Sequence, residues 1–250
     1  MSELVVVGRD GPVQIIRLNR PEKKNAITRG MYAELSAALR DGDADRSVRC
    51  HVLFGTPGAF SAGNDLVDFL GVATGGESGP EVLAFLLSLA NAGKPLISGV
   101  DGIAVGIGAT LNLHCDLTFA TPRSVFRTPF VDLGLVPEAG SSLLAPALLG
   151  PQLAFAMLAL GEDLTAERAL RAGLIYAVVE EDRLEAASLE AADRVAAKPP
   201  EALRIARDLM RGSRAVLIAR IEEEIAHFDA RLRSNEARAA LTAFMTRKKS

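Results

Sequence analysis

A single carboxylate in the middle of the chain stands where an acid–base group could work. Glu138 lies in a proline-marked bend, VPEAGSS at 136–142, among small residues. A carboxyl group in apolar surroundings holds its proton more tightly than one in water, and it can then act as a general base. Because the first turn of a helix favours acids and an apolar segment follows, Glu138 could instead be a helix N-terminal charge. This stretch alone leaves both interpretations open.

Two glycine-containing stretches upstream can present backbone N–H groups to a ligand. The segment 58–66, GAFSAGNDL, lies between a predicted strand and a predicted helix, and its small residues expose N–H groups at the turn. Such a turn suits an anion or an oxyanion. Gly102, Gly106 and Gly108 follow in VDGIAVGIGATL at 100–111, where they let the backbone approach another segment or a ligand. Either stretch is a weak indication by itself, but the two together are a stronger indication of a ligand-binding site.

The motifs resemble those of the crotonase superfamily, also called the enoyl-CoA hydratase/isomerase superfamily, and most closely those of its Δ3,Δ2-enoyl-CoA isomerases. The resemblance also takes in NRPEKKNAIT at 19–28, HCDLTFA at 114–120 and FVDLGLVPEAGSS at 130–142, all in the expected order. It implies an α/β fold, in which a spiral of ββα repeats is followed by C-terminal helices. In the family those helices pack protomers into trimers, often paired as hexamers, so we expect a homotrimer or a hexamer here.

The resemblance also implies a substrate and a role for individual residues. The substrate is an acyl-CoA thioester, so coenzyme A is part of the substrate, and no further cofactor and no metal is expected. Glu138 would be the catalytic base, and the backbone N–H groups of Ala62 and Ile107 would stabilise the enolate oxygen at about 3 kcal/mol each. Other substrate contacts are implied for Lys24, Asn25, Ala26, Phe60, Gly63, Asn64, Asp65, Leu66, Gly106, Thr110, Phe130 and Lys248.

Two positions depart from the hydratase pattern of the family. Hydratases use two glutamates to position one water, and this chain has Thr110 and Phe130 at the corresponding positions. A hydroxyl group and a phenyl ring cannot orient and deprotonate water as two carboxylates do. One base suffices for isomerisation, because it can take a proton from C2 and return it to C4, and PEAGSS matches the isomerase pattern. Asp132 could take part or could only tie down its loop.

Three functions therefore remain open. The first is a Δ3,Δ2-enoyl-CoA isomerase with Glu138 as its base. The second is another crotonase-type reaction at the same position, including weak hydration. The third is a non-catalytic acyl-CoA-binding protein. The basic residues Arg20, Lys23 and Lys24, and the tail at 247–249, are either contacts to the phosphates of coenzyme A or solvated charges.

Composition and charge exclude several other classes of protein. The chain has 250 residues, of which 49% are hydrophobic, so it is not a disordered chain. A formal net charge of −3 with mixed signs gives no indication of nucleic-acid or membrane-surface binding. Cys50 and Cys115 lie in apolar runs and are expected to be free thiols, and the N-terminus lacks a signal-peptide pattern, so a cytoplasmic location is expected. The uncharged run at 139–161 predicts two short buried helices broken at Gly150-Pro151.

The remaining pattern predicts the elements that position these residues. A hairpin at 4–18 is followed by a helix capped by Thr28, a strand at 48–54 and a Gly- and Ser-rich loop at 71–80. A strand is expected at 95–100, and 111–120 and 125–127 are expected to be further short strands or turns. His114 is expected to be structural rather than a ligand or a base. The composition shifts to helix near residue 195. We therefore expect a core with the acyl-CoA site at 1–195 and a helical oligomerisation region at 196–250.

Overall fold

The computed structural model describes residues 4–73 and 79–247. The first part of the chain forms β1 (Val5–Asp10), β2 (Val13–Leu18), α1 (Arg29–Ala44), β3 (Cys50–Phe54), β4 (Ala59–Ser61), α2 (Leu66–Ala73), α3 (Glu81–Asn91), β5 (Leu96–Val100), β6 (Ile103–Val105) and α4 (Ile107–Thr110). The remainder forms β7 (Leu117–Ala120), β8 (Val125–Arg127), α5 (Ser141–Leu149), α6 (Pro151–Leu158), β9 (Leu164–Thr165), α7 (Ala166–Ala172), β10 (Ala177–Val178), α8 (Leu184–Ala196), α9 (Pro200–Arg211), α10 (Arg214–Leu232) and α11 (Asn235–Arg247).

The strands form two sheets that the chain visits alternately. The larger sheet has the order β1-β2-β3-β5-β7-β10 and the smaller one has the order β4-β6-β8-β9. The pairs β3–β4, β5–β6 and β7–β8 each place their first strand in the larger sheet and their second in the smaller one. Neighbouring strands from successive pairs are parallel within each sheet. This repeated step produces the spiral of β–β units that the resemblance implied.

Glycines allow successive turns of this spiral to touch through their backbones. Gly102 joins β5 to β6 with φ +72°, and a Cβ atom there would lie 2.0 Å from the carbonyl oxygen of Gly58. A Cβ atom at Gly108 would lie 2.8 Å from the carbonyl oxygen of Ser61. The two stretches singled out in the sequence, 58–66 and 100–111, are therefore in direct backbone contact.

Helices cover both faces of the larger sheet. On one face α1 packs against α3, and the side chain of Thr28 accepts a hydrogen bond from the N–H of Met31, which confirms the predicted cap. On the other face α8 packs against β3 and β5. Leu96 and Val100 of β5 belong to the core beneath α1 and α3, whereas Ile97 belongs to the core beneath α8. Burial on both sides explains why neither strand alternates between apolar and charged residues.

The C-terminal helices pack on the same core. α10 contacts α3 and α5, α11 contacts α2, and Ile221 of α10 is fully buried in the main hydrophobic cluster. The division at residue 195 and the oligomerisation role of 196–250 stay predictions. The contacts show, however, that α10 supports the fold of its own chain.

Some sequence-based expectations need correction. The strand expected from residue 48 begins at Cys50. Of the expected strands or turns at 111–120, residues 111–114 form a 3-10 turn and Leu117–Ala120 form β7. The break between the two helices at Gly150-Pro151 is confirmed, but their full burial is wrong, because Phe155 is 61% exposed. Residues 74–78 of the expected loop lie outside the described residues. Among the helices that the structure describes, none is long and apolar enough to cross a membrane.

Replacing Gly102 with alanine tests the backbone contact between the two stretches. The new Cβ atom would overlap the carbonyl oxygen of Gly58, and a positive φ also disfavours alanine. We expect a loss of at least about 3 kcal/mol in the free energy of unfolding, measured by urea denaturation. Gly8→Ala is the control, because nothing lies within 4 Å of a Cβ atom there. Equal stability of the two variants would contradict this view of the contact.

Candidate active site

Glu138 is buried at the end of an apolar pocket. Glu138 is only 3% exposed. It lies before Ser141, the first residue of α5, and outside the helix. Gly140 occupies the N-cap position of α5, and it has no side chain that could cap the helix. Glu138 is therefore not a charge in the first turn of α5, and the helix-charge interpretation is wrong.

Thr110 contacts the carboxyl group directly. Its hydroxyl group donates a hydrogen bond to Oε1 of Glu138 at 2.6 Å. Burial raises the pKa of Glu138 to about 8, the hydrogen bond from Thr110 acts in the opposite direction, and the negative charge of Glu224 raises it further. A carboxyl group with a pKa near neutral pH combines an accessible charged form with a strong drive to accept a proton.

The turn that carries Glu138 has an unusual backbone and a buried anchor. Ala139 has φ +61°, in the left-handed region that side chains other than glycine rarely adopt. Nε2 of His114 lies 2.7 Å from the carbonyl oxygen of Ala139. Burial lowers the pKa of His114 to about 4, so the ring is neutral and carries its proton on Nε2, which donates to that carbonyl. The contact agrees with the expected structural role of His114.

The predicted donor at Ala62 is not available to a substrate. The N–H of Ala62 donates to the carbonyl oxygen of Lys24 at 2.8 Å, which ties the loop at 19–28 to the turn at 61–65. The next turn residues pair with Ile27, which donates to the carbonyl of Gly63 at 2.7 Å and accepts from the N–H of Asp65 at 2.9 Å. In such a parallel bridge, the residue between the two bonded ones points its N–H away from the partner strand. That residue is Asn64, which replaces Ala62 as the candidate donor.

Ile107 supplies the second candidate donor. It is the first residue of α4, where the N–H has no partner within the helix, and Gly106 before it has φ +55°. Within residues 4–73 and 79–247, no hydrogen bond engages the N–H of Asn64 or of Ile107. A Cβ atom at Gly63 would lie 2.8 Å from the carbonyl oxygen of Val105, so the two donor-bearing turns touch. Two unpaired N–H groups on touching turns are suited to one shared oxygen atom.

The pocket beside Glu138 is walled by helices from both ends of the chain. Tyr32 of α1 is buried, and its hydroxyl group donates to Oδ1 of Asn64 at 2.6 Å. Ile27, which precedes α1, also lines the pocket. The other walls come from α2, α3 and α10, and their apolar lining residues are Phe69, Val82, Leu83, Ile225, Phe228 and Leu232. Sequence reasoning missed Tyr32 and the contribution of α10. The apolar face of α10 was visible in the sequence, but its pattern could not distinguish a pocket wall from an interface.

Two residues expected to contact the substrate have other contacts. Asn25 is fully buried, and its amide group donates to Thr56 and to the carbonyl oxygen of Ala59, which leaves it bracing the loop. Phe130 is also buried, but it does not line the pocket and instead packs edge-on against Phe228, which does. The apolar wall expected from Phe130 is thus supplied one layer further in by Phe228.

The loop around residue 20 shows which basic groups are engaged. The Arg20 guanidinium forms an ion pair with Asp65 at 2.5 Å and is mostly buried. It therefore connects the loop at 19–28 to the turn at 61–65 and is not available to bind a phosphate. Lys23 and Lys24 are exposed. Of the other expected contacts, Phe60 and Gly63 are buried, Ala26, Leu66 and Gly106 are partly exposed, and Lys248 lies outside the described residues. Among the described side chains, no three His, Cys, Asp or Glu groups converge as metal ligands would.

Comparison with known proteins identifies the family. Residues 8–250 match the family model described as enoyl-CoA hydratase/isomerase. The chain belongs to the enoyl-CoA hydratase/isomerase family. The α/β spiral described above is the fold that membership in this crotonase superfamily implies, and this prediction is confirmed.

Relatives within the enoyl-CoA hydratase/isomerase family carry different names. The chain is 36% identical over 253 residues to enoyl-CoA delta isomerase 2 of Rattus norvegicus. The matched region covers 99% of this chain and 64% of the rat protein. It is 32% identical over 251 residues to a probable enoyl-CoA hydratase of Rhizobium meliloti, with 99% and 97% covered. The structure of OdaA from Pseudomonas aeruginosa matches with a TM-score of 0.93 and 40% identity over 98% and 99% of the two chains. This chain thus spans less than two thirds of the rat isomerase.

The burial of Glu138 predicts how activity depends on pH. The residue can accept a proton only when it is ionised, and its pKa lies at about 8. We expect kcat/KM for an acyl-CoA substrate to fall by about tenfold per pH unit below this value and to level off above it. A rate that is constant from pH 6 to pH 9, measured with a control for protein stability, would contradict the role of Glu138 as a base.

Proposed function

We propose that this protein shifts a double bond in an acyl-CoA thioester, as a Δ3,Δ2-enoyl-CoA isomerase with Glu138 as its only base. The observation that carries the proposal is the position of Glu138, which is the buried carboxyl group of the pocket that Asn64 also lines. The other acidic residues among the described lining, Asp68 and Asp229, are both partly exposed.

The proposed reaction begins with the thioester oxygen. It accepts hydrogen bonds from the N–H groups of Asn64 and Ile107, each of which stabilises the developing enolate by about 3 kcal/mol. Glu138 then takes the proton from C2, and the electron pair of the broken C–H bond spreads over the carbonyl and the former double bond as a dienolate. Because Thr110 binds Oε1, Oε2 remains available for the proton. The same carboxyl group gives the proton to C4, which leaves the double bond between C2 and C3.

A hydratase is the main competing function, since one of the relatives bears that name. Hydration needs a nucleophilic water oriented by a second acid–base group. Position 110 instead holds a threonine whose hydroxyl group is already bonded to Glu138, and position 130 holds a phenylalanine that lies behind the pocket wall. These contacts favour proton shuttling over water addition. A non-catalytic acyl-CoA-binding protein would not need a buried base with a raised pKa.

Assembly and location remain proposals. Exposed apolar side chains of α9, Leu209 at 79% and Met210 at 80%, support a contact with a further copy of the chain, in a trimer or a hexamer. Lys23, Lys24 and Lys248 are proposed to meet the phosphates of coenzyme A. A cytoplasmic location is supported by the free thiols of Cys50 and Cys115.

Replacing Glu138 with glutamine tests the proposed base. The change keeps the size of the side chain and its ability to accept from Thr110, but it removes the proton acceptor. We expect the turnover of a 3-enoyl-CoA to fall by at least roughly 10²–10⁴-fold while the affinity for CoA esters is retained. Turnover is followed by the absorbance of the 2-enoyl thioester product. Asp132→Asn is the control, since Asp132 is exposed and does not line the pocket.

Three results would contradict this assignment. They are unchanged turnover in Glu138→Gln, a greater loss in Asp132→Asn, and hydration of crotonyl-CoA by the wild type at a rate near the roughly 10 s⁻¹ typical of enzymes. The third would favour the hydratase. Binding of CoA esters without turnover of either substrate would favour the non-catalytic function.

A further inference from the structure

A second buried carboxylate contacts the turn that carries Glu138. Glu224 of α10 is 5% exposed. Its Oε2 accepts from the N–H of Gly140 at 2.6 Å, and its Oε1 accepts from the N–H of Ser142 at 2.9 Å. The start of a helix leaves such N–H groups unpaired, and Gly140 at the N-cap of α5 has no side chain to accept them. A distant helix therefore provides the cap that α5 lacks.

We propose that Glu224 is a positioning residue, which fixes the turn at 138–142 and thereby holds the Glu138 carboxyl group against the reacting carbons. The inference rests on the proposed function of Glu138 as the base. It assigns to α10 a part in the reaction in addition to its part in the pocket wall.

The backbone of the turn shows why such a contact is needed. Ala139 and Gly140 have φ +61° and +69°, and a Cβ atom at Gly140 would lie 2.4 Å from Cδ1 of Leu217 on α10. Left-handed conformations of residues other than glycine are unfavourable, and they persist where the surroundings hold them in place. His114 holds the carbonyl oxygen of Ala139, and Glu224 holds the two N–H groups that follow. Without Glu224 the turn can relax, and the carboxyl group of Glu138 can leave Thr110.

The charge of Glu224 also acts on Glu138. Among the described residues, the charge of Glu224 interacts with Glu138 across the turn and with Arg220 on α10, and Arg220, Glu223 and His227 line a pocket together with it. Arg220 is shared, because its Nε pairs with Glu223 at 3.0 Å while its Nη1 donates to Oγ of Ser142 at 3.1 Å. Burial raises the pKa of Glu224, and the hydrogen bonds from Ser142 and Gly140 and the charge of Arg220 oppose that shift. In its charged form, Glu224 raises the pKa of Glu138. Removing that charge should lower the pKa of the base.

The first experiment compares Glu224→Gln with Glu223→Gln. A glutamine at 224 can accept from one backbone N–H only, and its NH₂ group then faces the other one. We expect kcat for a 3-enoyl-CoA to fall by about 10- to 100-fold with KM changed by less than about threefold, because the base and not the binding surface is displaced. The acid limb of the pH profile should move to lower pH. Glu223→Gln, at an exposed position next to it, should match the wild type in kcat, KM and pH profile.

A second readout does not depend on activity. Protein labelled with ¹³C at the glutamate carboxyl carbon is titrated by NMR, and the Glu138 signal is assigned by its absence in Glu138→Gln. In Glu224→Gln this signal should titrate at lower pH than in the wild type. If the wild type does not turn over a 3-enoyl-CoA, the proposed function fails, and the titration still decides whether Glu224 controls Glu138.

The outcomes separate a positioning residue from a merely structural one. A wild-type kcat, an unmoved titration of Glu138, or an equal effect of Glu223→Gln would overturn the proposal, as would a loss carried by KM alone. If Glu224→Gln does not fold, Glu224→Asp takes its place. It keeps the charge but is too short to reach both N–H groups, so kcat should fall while the Glu138 titration stays near its wild-type position. A wild-type kcat in Glu224→Asp would overturn the proposal.

Discussion

A carboxyl group removed from water loses the solvation that stabilises its charged form. The contacts around Glu138 determine how far the protein replaces that stabilisation. Thr110 donates one hydrogen bond to the carboxyl group, whereas burial and the charge of Glu224 oppose ionisation. The balance leaves a group that holds a proton near neutral pH and still gives it up, which a solvated glutamate does not do. Such a balance works only if the carboxyl group stays in one place. The left-handed turn at Ala139, its anchor at His114 and the cap from Glu224 together keep it there.

The proposed oxyanion donors depend on a different constraint, the close approach of two backbone turns. Gly63 and Gly102 have no Cβ atom, and one at either position would overlap the carbonyl oxygen of the facing segment. The contact leaves Asn64 and Ile107 with N–H groups that no described residue engages. A carboxylate is too weak a base for a proton next to a thioester unless the enolate is stabilised, so neither half of the site is useful alone. The spiral of strands brings Asn64 and Glu138 to one pocket, and α10 closes it.

Much of this arrangement could be predicted from the sequence, because the essential residues lie in short segments with characteristic composition. The proposed base at Glu138, the cap at Thr28 and the glycine contacts are local signals. The donor at 62 was wrong because the direction of an N–H group depends on pairing between distant segments. The turn at 61–65 pairs with Ile27, and Lys24 takes the N–H of Ala62. Glu224 could not be predicted either, since on α10 it is one of several acids, and only the packing of α10 onto α5 selects it. For the same reason the apolar face of α10 was assigned to an interface or to core cover, and its pocket wall was missed.

The central claim, that one buried carboxyl group carries the proton from C2 to C4, is tested most directly by isotope transfer. A 3-enoyl-CoA deuterated at C2 is converted in ordinary water, and the deuterium at C4 of the 2-enoyl product is measured by mass spectrometry. A single base that is shielded from solvent predicts that a substantial share of the C4 positions retains deuterium from C2. Product with only solvent hydrogen at C4, even in single-turnover experiments, would contradict the account, because it would require a second acid or a base in free exchange with water.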